Sequence, residues 1–300
     1  MNIGIIGAGS IGLLFASYIS RVFEVTIYTR TITQADEINK NGILLHKGAD
    51  ERRALVKALP VSSFKGTEDL TIITVKQYQL PAIIEKIHHL SVIPENLLFI
   101  QNGMGHIKLL ECIRANNLYV GSVEHGALKE NSFTVSHNGE GAINVAVFQG
   151  DAKSLQQFAA SLSPDFPIVF QEDFYDMLVK KLIVNAVINP LTAILQVENG
   201  RLIENQYYFQ VVKNLFSEIS FILNLDNPDE HLKLVVDICE KTANNRSSML
   251  KDIEANRLTE IDAILGFLLE QAKRQEKNSP QIANLYYLIK GKEIGGEEVT

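Results

Sequence analysis

Gly7-Ala8-Gly9-Ser10-Ile11-Gly12 is a G-x-G-x-x-G run between an apolar strand, Asn2–Ile6, and a helical run, Leu13–Ser20. That context suits a dinucleotide. Gly7 permits the tight turn, Gly9 lets backbone approach a pyrophosphate, and Gly12 lets the helix pack on the strand. The free N–H groups of the loop and the positive end of the helix dipole then hold phosphate. Arg30 follows the expected second strand, Glu24–Tyr28. An NAD enzyme usually carries Asp or Glu there for the ribose 2′-OH, whereas a guanidinium suits a 2′-phosphate. The cofactor read from these residues is NADP(H). Lys76 follows a third strand, Asp69–Val75, and Asn102 follows a fourth, Leu97–Ile100. The Gly loop, Arg30, Lys76 and Asn102 thus share the carboxyl ends of parallel strands, where open α/β sheets bind ligands.

A second set of polar residues lies in an apolar context. Lys181, Asn185 and Asn189 stand at i, i+4 and i+8 and share one helix face. Leu178, Leu182, Ile183, Val184, Val187 and Ile188 surround them. Such a row is costly if buried without partners, so it either binds a ligand or ties helices together. Pro190 is expected to kink or break this helix, opening the Asn189 region. Ser248 falls in a polar junction, Asn244–Met249. Glu260 falls in Thr259-Glu260-Ile261-Asp262, a T-x-x-D capping pattern whose first turn favours a carboxylate.

These residues need two kinds of scaffold. The fold class expected is α/β: a Rossmann-type dinucleotide-binding domain over 1–172, with an extended sheet, followed by an all-helical domain over 173–300. Phe133–Ser136 and Ile143–Val147, separated by Asn138-Gly139-Glu140-Gly141, read as an antiparallel hairpin added to that sheet. Asp151–Leu162 reads as one more helix and Ile168–Phe170 as a last strand. Asp173 caps a helix over Phe174–Leu195, Pro228 opens another, and Ser279-Pro280 opens a final one ending near Lys290. The tail from Gly291 to Thr300 is expected to fray.

Composition narrows the classes. The 300 residues suit two domains, with 46% hydrophobic and 21% charged residues. A net charge of -7 gives no overall attraction for nucleic acid or anionic membrane. Two cysteines without a C-x-x-C pair, and histidines without metal spacing, argue against a disulfide framework or a metal site and fit a reducing cytoplasm. No signal peptide is apparent, and no apolar run reaches the length of a membrane span; Leu182–Leu195, which carries Asn185, Asn189 and Pro190, reads as a buried helix.

The assembled motifs resemble the ketopantoate reductase family over nearly the whole chain. The resemblance runs through Gly7–Gly12, Arg30, Thr74-Val75-Lys76 with Gln79, and Asn102-Gly103-Met104-Gly105. It continues in the stretch from Lys181 to Ala193, in Ser247–Leu250 and Thr259–Asp262, and in Leu285-Tyr286-Tyr287-Leu288-Ile289-Lys290. It implies reduction of 2-ketopantoate to pantoate by NADPH, on the route to pantothenate and coenzyme A. It implies Lys181 as the general acid at the ketone oxygen, with Glu260 holding Lys181 or a substrate hydroxyl. Asn185, Asn189 and Ser248 would then bind the substrate's carboxylate and hydroxyl ends, Asn102 would position nicotinamide or substrate, and Lys76 would line the cleft. A lysine ammonium is charged at neutral pH, so it meets a forming alkoxide as a ready donor. Because phosphates and acid sit on different domains, closure is expected. Three other readings compete. His125 is a second candidate acid. The substrate could be another small 2-keto or 3-hydroxy acid. A non-catalytic NADPH-sensing module would need the Rossmann half but not the C-terminal polar set. The C-terminal helices allow a homodimer without requiring one.

Overall fold

The computed structural model describes residues 1–162 and 164–294. By internal contacts the chain divides into two units, Met1–Gln101 with Lys108–Met177, and Asn102–Ile107 with Leu178–Thr300. The short loop Asn102–Ile107 therefore belongs with the C-terminal helices.

The first unit begins with β1 (Asn2–Ile6), α1 (Ser10–Ile19), β2 (Glu24–Thr29) and α2 (Ile32–Asn41). Three short strands follow, β3 (Ile43–Lys47), β4 (Asp50–Ala54) and β5 (Lys57–Pro60). Then come β6 (Leu70–Ile73), α3 (Leu80–His88), β7 (Asn96–Phe99) and the single turn α4 (Ile107–Leu110). The unit continues through β8 (Asn117–Val123), β9 (Gly126–Lys129), β10 (Thr134–Gly139), β11 (Ile143–Gln149), α5 (Lys153–Ala160) and β12 (Ile168–Phe170).

The main sheet has eight strands in the order β12-β11-β8-β7-β6-β1-β2-β5. From β8 to β5 neighbouring strands are parallel, and β11 runs antiparallel to β8. The central strands are mainly apolar because both faces are covered: Ile3–Ile6, Leu70–Ile73 and Asn96–Phe99 are all buried. Ile5, Ile27, Ile72 and Leu98 meet Leu13, Leu14 and Phe15 of α1 in one core.

The expected hairpin is not formed. β11 does join the main sheet, but β10 pairs with β9 and β3 in a separate four-stranded sheet of order β4-β3-β10-β9. Alternation marks a strand without choosing its partner. Here Gly139 lies opposite Gly126, a close approach that seats β10 on β9, and the next residues carry the chain to the other sheet.

The second unit is helical. It holds α6 (Phe174–Leu195) from Leu178 onward, then α7 (Arg201–Glu204), α8 (Gln206–Leu223), α9 (Pro228–Lys241), α10 (Ser248–Glu254), α11 (Phe267–Arg274) and α12 (Pro280–Ile294). Asp173 caps α6, accepting from the N–H groups of Tyr175 at 2.7 Å and Asp176 at 3.1 Å. α8 buries Val212, Leu215, Phe216, Ile219 and Ile222 at helical spacing and packs on α7, α9, α11 and α12.

Two expectations change in this unit. Pro190 does not end α6, which continues to Leu195. Thr192 Oγ1 lies 2.7 Å from the Ile188 carbonyl and 3.1 Å from the Asn189 carbonyl, bonding back to the preceding turn as a helical threonine does. α6 is also, among the described residues, the one helix long and apolar enough to cross a membrane by length and composition. It carries the stretch Leu182–Leu195 that reads from sequence as a buried helix, and 61% of its most apolar window is buried inside the protein, as in a core helix. Finally, α12 runs past the expected end near Lys290 to Ile294, so residues 291–294 are helical; the rest of the expected frayed tail lies outside the described residues.

Candidate active site

In the first unit the Gly loop is held from below by backbone. The Gly7 N–H donates to the Tyr28 carbonyl at 2.9 Å, and Gly7 has φ +112°, a conformation that favours glycine. A Cβ on Gly12 would stand 1.8 Å from the Gly7 carbonyl oxygen, so only glycine lets α1 start this close to the loop. Thr74 Oγ1 donates to the Ile6 carbonyl at 3.1 Å and the Gly7 carbonyl at 2.9 Å, bracing the turn. A Cβ on Gly9 would meet nothing within 4 Å. The loop is therefore closed beneath and open above, and Ser10 and Ile11 begin α1 with Gly9 as its N-cap.

Arg30 is exposed just past β2. Lys76 is half-buried at the start of a short 3-10 turn over Gln77–Gln79, its N–H donating to Gln79 Oε1 at 3.2 Å. Two side chains that the sequence reading passed over stand at the Gly loop. Gln34 Nε2 donates to the Ala8 carbonyl at 2.9 Å, and Lys129 Nζ donates to the same oxygen at 3.1 Å. Burial, and next the charge of Arg30, lower the Lys129 pKa. The structure thus gathers two cations beside the loop. Lys129 sits on β9, whose place in the second sheet no spacing in the sequence announced.

His125, the alternative acid, is part of the packing of this unit. Its Nδ1 is 3.0 Å from His137 Nε2, and His137 Nδ1 is 2.8 Å from the Tyr18 hydroxyl. Its ring stacks on Phe166 at 4.7 Å.

In the second unit Lys181, Asn185 and Asn189 are each half-buried along α6. Ser248 is exposed in the first turn of α10. Its neighbour Ser247 is buried, caps α10 by accepting from the Leu250 N–H at 3.1 Å, and shares a hydroxyl–hydroxyl hydrogen bond with Thr192 Oγ1 at 2.8 Å. That bond ties the turn bearing Ser248 to the turn of α6 that follows Asn189.

Asn102 and Glu260 are brought into direct contact across 158 positions of sequence, Asn102 Nδ2 donating to Glu260 Oε2 at 2.8 Å. The loop after Asn102 fixes this pair. Gly103 has φ +74°, and a Cβ there would stand 2.2 Å from the Ala263 carbonyl oxygen. The same oxygen accepts from the N–H groups of Met104 at 3.1 Å and Gly105 at 3.4 Å. Ala263 belongs to a π-helical turn, Asp262–Gly266, a geometry frequent at functional sites. His106 ends the loop fully buried, and burial pushes its imidazole down to about 4, which keeps it neutral at physiological pH.

The expected capping pattern at Glu260 is only half formed. Thr259 Oγ1 accepts from the Ile261 N–H at 3.1 Å, but the Thr259 N–H donates to Glu293 rather than to Asp262. Asp262 is engaged instead by Tyr286 and Lys290. The reciprocal arm comes from a helix distant in sequence.

Residues 3–150 match the family model described as ketopantoate reductase PanE/ApbA, and residues 173–293 match its C-terminal counterpart. The 2-dehydropantoate 2-reductase of Bacillus subtilis is 42% identical over 301 residues, covering 100% of both chains. A crystal structure described as probable 2-dehydropantoate 2-reductase panE from Bacillus subtilis superimposes with a TM-score of 0.90 at 41% identity, over 97% of this chain and 100% of that one. A ternary structure of D-mandelate dehydrogenase with NADH and anilino(oxo)acetate shares the fold, with a TM-score of 0.90 at 24% identity over 99% of each chain. With both family models matched and a full-length relative at 42% identity, the chain belongs to the ketopantoate reductase family of oxidoreductases.

Proposed function

We propose that the chain reduces 2-ketopantoate to pantoate with NADPH, on the route to pantothenate and coenzyme A. Residues 1–172 supply the dinucleotide site and residues 173–300 most of the keto-acid site. The observation that carries this reading is the Asn102–Glu260 hydrogen bond, in a unit that also aligns Lys181, Asn185 and Asn189, within a chain of this family.

The Gly loop fits a dinucleotide diphosphate, being closed by Gly7 and Gly12 and open above Gly9. Arg30 fits the 2′-phosphate of NADPH, with Lys129 adding positive charge at the same place. When bound, the nicotinamide supplies a hydride to the carbonyl carbon. Lys181 donates its proton to the ketone oxygen as negative charge develops there. Glu260, steadied by Asn102 on Oε2, holds the Lys181 ammonium or a substrate hydroxyl. Asn185, Asn189 and Ser248 bind the substrate's carboxylate and hydroxyl ends, and Lys76 lines the cofactor side.

The test is NADPH oxidation by the purified protein with 2-ketopantoate, beside 2-ketoisovalerate and other short 2-oxo acids, repeated with NADH. Turnover selective for 2-ketopantoate with NADPH is expected. Faster turnover of another 2-oxo acid reassigns the substrate, and tight NADPH binding without any turnover favours a sensing role.

A further inference from the structure

The segment Leu285–Lys290 belongs to the family resemblance. In the structure it lies in α12, where Tyr286, Lys290 and Glu293 follow at i, i+4 and i+7 and share one face. All three reach the residues flanking Glu260. The Tyr286 hydroxyl donates to Asp262 Oδ1 at 2.6 Å, and Lys290 Nζ donates to Asp262 Oδ2 at 3.1 Å. Glu293 Oε1 accepts from the Thr259 N–H at 2.8 Å and from the Thr259 hydroxyl at 2.7 Å. Lys290 also pairs with Glu293 Oε2 at 2.8 Å.

The Thr259–Glu293 contacts are sheltered. The Glu293 side chain is 3% exposed and Thr259 is 4% exposed. The hydrogen bond to Asp262, then burial, push the Tyr286 phenol up to about 12, so it remains a donor at neutral pH. Burial opposes the Lys290 charge, but hydrogen bonds to Glu293 and Asp262 outweigh it and push its pKa up to about 12. The residue before Glu260 and the second residue after it are therefore each tied to α12 by two bonds. On its other side the same segment is pinned by the Asn102–Gly105 loop. A carboxylate held between fixed neighbours keeps its orientation without drawing on substrate binding.

We propose that Glu293 is a positioning residue for the keto-acid step: it acts through Thr259 to fix Glu260, and Tyr286 and Lys290 fix Asp262 to the same end. The proposal rests on the reading of Glu260 as a substrate-side group. A merely structural brace would contribute to folding and leave catalysis alone, and the two can be separated with Glu293→Ala, Glu293→Gln and Tyr286→Phe in the full chain.

Glu293→Ala should lower kcat/KM for the keto acid roughly 10- to 100-fold, mostly in kcat, with NADPH affinity within about two-fold of wild type. Glu293→Gln should restore most of the activity, because its amide oxygen can accept both Thr259 bonds. Tyr286→Phe should cause a smaller loss of the same kind. A second readout needs no turnover: the carboxyl carbon resonance of Glu260, assigned by its disappearance in Glu260→Gln. It should shift or broaden in Glu293→Ala and return in Glu293→Gln. An unmoved resonance, or a folded Glu293→Ala protein with wild-type kcat/KM, overturns the brace. Absence of wild-type turnover on any 2-oxo acid overturns the reading of Glu260 instead.

Discussion

The Gly7–Gly12 loop and the Asn102–Glu260 pair are held in different ways. The loop is backbone whose shape is set by backbone, the Gly7 N–H on the Tyr28 carbonyl and Gly12 against the Gly7 carbonyl, with Thr74, Gln34 and Lys129 donating to its carbonyls. The pair consists of side chains supported by other elements, with Glu260 held by Asn102 and its neighbours Thr259 and Asp262 held by Glu293, Tyr286 and Lys290. A backbone site depends on spacing and on the absence of Cβ atoms. A side-chain site depends on identity at several distant positions. The two regions should therefore fail differently when single side chains are removed.

The largest effect is expected on the side-chain region. Lys181→Ala should lower kcat roughly 10²–10⁴-fold, the usual range for a lost acid–base group. NADPH affinity should be nearly kept, because the Gly loop belongs to the other unit. Steady-state kinetics beside NADPH titration check both parts. A variant within a few-fold of wild type in kcat removes Lys181 from the acid role. An equal loss of NADPH affinity would erase the contrast between the regions.

This difference also explains what could be read in the sequence. Glycine spacing after a short apolar strand is a local signal, and β1, α1 and β2 follow from it with little else. α6 was legible to its last residue because Asp173 caps it and its apolar positions are dense. The pairing of β10 was not legible, since alternation says nothing about which of two sheets accepts a strand. The place of Lys129 beside the Gly loop depends on that pairing and was hidden with it. For Glu260, the T-x-x-D pattern pointed to Asp262 as the reciprocal arm, while the structure uses Glu293, 34 positions from Thr259. Only folding brings those residues together.

The next effect tests the dinucleotide side, where one exposed side chain adds to a backbone site. Arg30→Ala should cost NADPH binding about 1.5–3 kcal/mol, the range for a charge-assisted hydrogen bond. NADH, which lacks the 2′-phosphate, should lose much less. Binding titrations with both cofactors measure this, and equal losses would reject Arg30 as the phosphate reader. Lys129→Ala should weaken NADPH by less, because Lys129 is already engaged with the Ala8 carbonyl. If Lys129→Ala instead exceeds Arg30→Ala, the selectivity of the backbone site rests on β9 and not on the end of β2.

The smallest effect concerns a place where the first unit itself relies on side chains. The Gly141 N–H donates to His125 Nδ1 at 3.2 Å, so that nitrogen is an acceptor. His137 Nε2 must then be the donor across their 3.0 Å contact, and His137 Nδ1 accepts from the Tyr18 hydroxyl. Both rings are held toward the neutral form by their burial. Burial, and next the charge of His137, push His125 down to about 4, and burial lowers His137 as well. Lys47 acts in the same direction on both rings, while Glu140 opposes it. Unfolded histidine titrates near 6.5. Between about 6.5 and 4 the unfolded chain binds more protons than the folded one, so stability is fully present above pH 6.5 and falls as the pH drops toward 4. His125→Asn can keep an acceptor oxygen for Gly141 and His137 but cannot titrate. In wild type the loss from His125 should be on the order of 2 kcal/mol, a few °C in Tm, between neutral pH and pH 5. In His125→Asn that part of the acid slope should disappear while the slope from carboxylates remains. Parallel slopes in the two proteins would show that the imidazole chain contributes packing alone.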